Sequence, residues 1–172
     1  MSAAPAAPPR AAAARTLALG VAVPLAAGAA SVFGFAPFYA WPVPIVTVAL
    51  LLFTWQRSGT ARQAAVSGYA FGLGYFLAGV SWVYVSLHVF GGMPAPLAAL
   101  ATFLFCAYLA LFFGAAGWVA VRVAPRAGIA RLAAAASAIA LGEWLRGWLF
   151  TGFPWLNLGT SQAPGGALAG LA

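Results

Sequence analysis

Few side chains in this sequence are equipped for chemistry. Glu143 is the single acidic residue, and Arg146 follows three positions later, within "GEWLRGWLFTGFPWLNLGTSQ". Trp144, Trp148, Phe150, Phe153 and Trp155 crowd the same segment. Residues three apart on a helix share a face, so this carboxylate and this guanidinium can neutralise each other. Catalysis asks for more than a neutralised pair. Nucleophilic catalysis needs a nucleophile beside a base, yet the chain has no lysine and no second carboxylate. The lone Cys106 lies in the apolar run "ATFLFCAYLALFF", with no charged residue within fifteen positions. A thiolate needs a cationic, partly wet setting, so Cys106 reads as a small apolar residue. One cysteine forms no internal disulfide. His88 has no carboxylate or cysteine companions that would make a metal site and reads as an interfacial side chain with its polar tip in water. Phosphate-binding loops of the GxxxxGK[ST] type are absent. No metal site and no cofactor are expected.

The elements that must position Glu143 and Arg146 are set by composition. Of 172 residues, 65% are hydrophobic and 5% charged, whereas a soluble domain carries about 25% charged residues. The chain therefore reads as an integral membrane protein. The net charge of +7 comes from eight arginines, grouped at the ends of apolar runs rather than in a basic stripe. That placement argues against nucleic acid as a partner. Residues 1–14 are rich in Ala and Pro and read as a disordered tail, leaving 15–172 as one transmembrane helical domain. Gly/Pro turns at 34–42 and 91–96 and arginine loops at 57–62 and 122–131 divide it. The fold expected is all-α, a polytopic bundle of about five spans near 16–33, 42–55, 63–90, 95–121 and 131–150. A sixth begins after 163, and the sequence reads as a fragment of a longer chain. Trp41 and Trp55 are expected at the two membrane interfaces. Gly68 and Gly72 in "GYAFG" let another helix approach closely, inside the bundle or across a dimer.

The arginine-bearing loops alternate with arginine-free turns, so by the positive-inside rule the N-terminus is cytoplasmic and the loop after the fifth span faces outward. The first span also has the look of a signal peptide, although the apolar run continues past the small residues "AAGAA". Glu143 stands twelve residues above Arg131, roughly 18 Å at about 1.5 Å per residue. An unpaired charge near a bilayer centre costs about 2.5–3.5 kcal/mol. Two readings follow: an ion pair beneath an aromatic belt, with Arg146 snorkelling to the headgroups, or a polar patch that contacts lipid or a neighbouring domain.

Residues 142–162 are the most distinctive stretch. They resemble the pattern E-x-x-R-G-x-[LF]-x-T-G-F-P-W-x-x-x-G-x-x-Q of the bacterial apolipoprotein N-acyltransferase family, and "GFAPFYAWPVPIV" and "GYAFGLGYFLAGVSWVYVSLHVFGGMP" are similar to its membrane part as well. The resemblance implies a bacterial inner-membrane acyltransferase that moves an acyl chain from a phospholipid donor to the N-terminal diacylglyceryl-cysteine of a lipoprotein acceptor. It implies a Glu-Lys-Cys triad in a nitrilase-type domain, onto which no residue here maps, so this chain alone is expected to be inactive. Glu143, Arg146, Trp148, Phe153, Pro154, Trp155, Asn157 and Gln162 are the candidates for contact with substrate lipid. The alternative is a non-enzymatic membrane scaffold or a transporter-like protein.

Overall fold

Helices form where the uncharged runs lie, and the punctuation between them is chemical. The computed structural model describes residues 9–163, with side chains from residue 20 onward. Its helices are α1 (Pro9–Ser31), α2 (Pro42–Arg57), α3 (Ala61–Gly79), α4 (Trp82–Val85, continued by a π-helical turn over Ser86–Phe90), α5 (Ala95–Val123) and α6 (Ile129–Arg146). No strand occurs among the described residues. Pro42 opens α2 at its first turn, where the missing N–H is no loss. Thr60 and Gln63 form a reciprocal capping box that starts α3, an arrangement in which each side chain satisfies the other's exposed backbone donor. α1 begins at Pro9, inside the stretch read as a tail. The expected sixth span after 163 lies outside the described residues.

α3 is the central element, with α1 on one side and α5 on the other; α6 lies against α5, and α2 against α1 and α3. Small residues set these distances. A Cβ on Gly28 of α1 would stand 1.9 Å from the Phe71 carbonyl oxygen, and one on Gly72 would stand 2.9 Å from the Ala110 Cα of α5. Backbones this close leave no room for a side chain, so the small-residue spacing of α3 serves packing within the chain. Phe71, Tyr75, Phe76 and Phe113 fill the resulting centre, their rings 5.2–6.2 Å apart. Cys106 is fully buried beside them. Buried hydroxyls of Ser31 and Thr47 meet at 2.6 Å between α1 and α2.

Four expectations are corrected. The span at 63–90 is two segments bent by 48°. The break follows Gly79, whose missing side chain leaves a notch for Leu156; a Cβ there would lie 2.3 Å from Leu156 Cδ1. The span at 131–150 ends at Arg146; the backbone leaves the helical region at Trp148, with φ −148°, and then turns through positive φ at Phe150, Thr151 and Gly152. Trp55 is not an interface residue: it is 1% exposed, wedged against Gly68 and Gly117. Arg131 is no loop cation among headgroups. It is buried, and its guanidinium donates to the carbonyls of Trp55, Gln56 and Ser58 at 3.1–3.3 Å, to Ala124 at 2.8 Å, and to Pro125. Trp55 and Gln56 lie in the last turn of α2, and Ser58, Ala124 and Pro125 just past the ends of α2 and α5, where a helix leaves carbonyls short of intrahelical partners.

By length and composition α5 can cross a membrane alone, and the α3–α4 pair passes the same test as one bent span. Large apolar side chains are exposed along the helices, among them Val46, Phe53, Leu100, Leu104, Leu111 and Trp118. Apolar exposure on this scale marks a surface built for lipid or for other helices rather than for water.

Candidate functional site

Glu143 and Arg146 occupy the last turn of α6. They do share a face, yet no N···O contact within 4.0 Å joins them. The expected ion pair is replaced by two separate grips on the loop that follows. Arg146 donates from Nη1 to the Phe153 carbonyl at 2.9 Å and the Trp155 carbonyl at 2.5 Å, and from Nη2 to Asn157 Oδ1 at 2.6 Å. Glu143 Oε1 accepts the Leu158 amide at 2.8 Å. The Phe153 amide donates back to the Arg146 carbonyl at 2.8 Å. Residues 153–158 therefore hold their shape through side chains, where ladder or helix bonds are missing. A loop in an apolar setting must satisfy its backbone groups this way.

Arg146 is only 3% exposed, so it does not snorkel. Its guanidinium lies over the Phe76 ring at 5.1 Å, a placement that favours a cation electrostatically. A third hold comes from α3, where the buried Tyr75 hydroxyl donates to the Leu156 carbonyl at 2.8 Å. Leu156 adopts φ +57°, a conformation uncommon for a bulky residue, and its side chain plugs the notch at Gly79.

The eight candidate residues divide accordingly. Glu143, Arg146, Phe153 and Asn157 meet in one cluster. Trp155 joins it by its carbonyl, while its half-exposed ring packs on Trp82 of α4 at 5.6 Å. Pro154 is exposed between them. Trp148 is turned away and meets the Trp144 ring at 4.8 Å on the outer face of α6. Gln162 is separate and buried, donating to the Trp41 carbonyl at 3.1 Å and so tying the loop's far end to the start of α2. His88 bonds through Nδ1 with the Met93 carbonyl at 2.8 Å.

Beside the clamped loop is a cleft of about 380 Å³, lined by Phe105, Tyr108 and Leu109 of α5, Arg146, and the left-handed turn from Leu149 to Phe153. Its walls are apolar and aromatic, with Phe105 on Phe153 at 4.9 Å and Tyr108 on Phe150 at 5.8 Å. Pockets of this size suit small or chain-like ligands. Tyr75, Phe76, Tyr108 and Leu156 had no signal in the sequence, since each reads as one more apolar residue in an apolar run. Chemically, the arrangement can seat an aliphatic chain and hold a rigid aromatic loop at one end of the bundle. It presents no nucleophile and no acid–base pair within bonding distance.

The class that fold and site define is an all-helical, lipid-compatible bundle that carries a side-chain-clamped aromatic loop over an apolar cleft. Its family follows from comparison: the model of the apolipoprotein N-acyltransferase N-terminal domain matches residues 27–172, and the chain belongs to that family. Among curated relatives, the apolipoprotein N-acyltransferase of Nitrosomonas europaea is 56% identical over 147 residues, covering 86% of this chain and 30% of the relative. That of Chromobacterium violaceum is 46% identical over 147 residues, with 85% and 28% covered. That of Vibrio parahaemolyticus is 44% identical over 143 residues, with 81% and 28% covered. The chain thus spans less than a third of the length of these relatives.

Proposed function

We propose that this chain is the membrane-embedded N-terminal part of an apolipoprotein N-acyltransferase, multi-pass in a bacterial inner membrane with its N-terminus cytoplasmic. In this reading the five apolar segments are spans, and the loop at 151–162 lies on the periplasmic side. The full enzyme transfers an acyl chain from phospholipid to the N-terminal diacylglyceryl-cysteine of a lipoprotein. The residues described here bind and orient lipid, and the covalent chemistry belongs to groups elsewhere in the enzyme. The observation that carries the reading is the clamped loop beside the apolar cleft. The cleft accepts the donor's acyl chain from the bilayer, and Arg146, through its three bonds, fixes the loop that forms one wall. A pre-shaped wall lowers the ordering cost of binding a flexible chain.

The test is acyl transfer to a diacylglyceryl lipopeptide by the full-length enzyme. Phe105→Trp or Tyr108→Trp fills the cleft and should raise the KM for phospholipid while the protein folds normally. Glu143→Leu and Arg146→Met should lower transfer by loosening the wall. Unchanged kinetics in all four, with folding intact, would sink the reading. Protease protection checks orientation: a shielded N-terminus and a cleavable 151–162 loop in spheroplasts are the required result.

A further inference from the structure

Among the described residues, the opposite end of the bundle carries arginines and no acidic side chain. Arg131 gathers the carbonyls of Trp55, Gln56, Ser58, Ala124 and Pro125, and Gln56 bonds both ways with Gly128, at 2.9 and 3.0 Å. The C-terminal ends of α2 and α5 and the start of α6 therefore form one rim. Four exposed arginines stand on or next to it: Arg57, Arg62, Arg122 and Arg126. The chain's single carboxylate side chain, Glu143, is twelve residues up α6 from Arg131, roughly 18 Å away at about 1.5 Å per residue.

Two of the four arginines are built alike. Arg57 lies over the Phe53 ring at 4.3 Å, and Arg122 over the Trp118 ring at 5.5 Å. In both pairs the ring is four residues earlier, on the last turns of α2 and α5, and it is half exposed, 52% for Phe53 and 48% for Trp118. A guanidinium stacked on a ring keeps its N–H edge free, and that edge matches a phosphate bidentately. A half-exposed ring directly below fits the acyl–headgroup boundary, where aromatic side chains settle.

We propose that the Phe53–Arg57 and Trp118–Arg122 pairs are two equivalent seats for anionic phospholipid headgroups. In each seat the guanidinium binds the headgroup phosphate and the ring lies against the first methylenes of the chain. Net negative lipid is favoured because no acidic side chain among the described residues at this rim offsets the four cations. The proposal rests on the membrane reading given above but concerns the end of the bundle remote from the cleft.

The test uses the full chain reconstituted in phosphatidylcholine bilayers containing a trace of spin-labelled phosphatidylglycerol or spin-labelled phosphatidylcholine. The motionally restricted fraction of each label measures the preference of the boundary. One arginine near an anionic headgroup favours it about fivefold. The parent should prefer phosphatidylglycerol, and Arg57→Gln/Arg122→Gln should lose more than half of that preference. Phe53→Leu/Trp118→Leu keeps every charge and should lose part of it. Arg62→Gln/Arg126→Gln, which removes two cations without rings beneath them, should lose less than the first pair. An undiminished preference in Arg57→Gln/Arg122→Gln, or an equal loss in Arg62→Gln/Arg126→Gln, overturns the proposal. So does displacement of the phosphatidylglycerol label by millimolar inorganic phosphate, which would make free phosphate the ligand. A parent chain that does not enter bilayers overturns the membrane reading itself, and the proposal with it.

Discussion

Arg146→Met keeps the length and much of the volume of the side chain while removing its donors. Three bonds disappear, to the carbonyls of Phe153 and Trp155 and to Asn157 Oδ1, at 2.9, 2.5 and 2.6 Å. Side-chain hydrogen bonds within membrane proteins average about 0.6 kcal/mol and reach about 1.7; bonds from charged donors belong at the upper end. At about 1–1.7 kcal/mol each, the loss is roughly 3–5 kcal/mol. The same range is typical for removing one partner of a buried charged network. Arg146→Lys retains the cation but offers one compact ammonium in place of a planar fork, so about half of that loss is expected. The assay is a denaturant titration in bicelles, paired with hydrogen exchange at the Phe153 and Leu158 amides. Those amides are bonded to Arg146 O and Glu143 Oε1 in the folded loop and should exchange faster in the methionine variant. If Arg146→Met stays within about 1 kcal/mol of the parent, with both amides still protected, the guanidinium does not hold the loop and the clamp is wrong.

Three further outcomes follow from the same contacts. Because Glu143 acts here as an acceptor for the Leu158 amide, Glu143→Gln should cost under about 1 kcal/mol and Glu143→Leu about 1–3 kcal/mol; equal costs in the same titration would restore the ion-pair reading. Gly28→Val should destabilise by at least about 2 kcal/mol, since its Cβ meets the Phe71 carbonyl at 1.9 Å, whereas Gly20→Ala, with nothing within 4 Å, should be neutral or mildly stabilising by thermal unfolding. Cys106, fully buried, should resist maleimide in the folded protein and react once the chain is denatured in SDS.

What the sequence made legible was local. Pro42 and the Gly/Pro turn at 91–96 mark helix limits by chemistry confined to a few residues, and α2 and α5 begin where those signals place them. The break after α3 was hidden because the contacts that accompany it are remote: Leu156 fills the notch at Gly79 and takes a bond from Tyr75. The same holds for the site. Spacing put Glu143 and Arg146 on one face correctly, but it could not show that a loop with unpaired carbonyls would outcompete the carboxylate for the guanidinium. Arg131 was misread for a like reason, since its acceptors come from the ends of two helices distant in sequence.

Arg131 is fastened to five carbonyls and to no anion. Mobile ions weaken attraction between exposed full charges but act much less on buried contacts, so this joint between three helices should hold at ionic strengths that dissolve ordinary surface ion pairs. Because no carboxylate cancels it, the guanidinium also leaves its whole charge inside the fold. One part of this end's electropositive character is thus structural, and it cannot be removed by substitution without also unfastening the helices it joins.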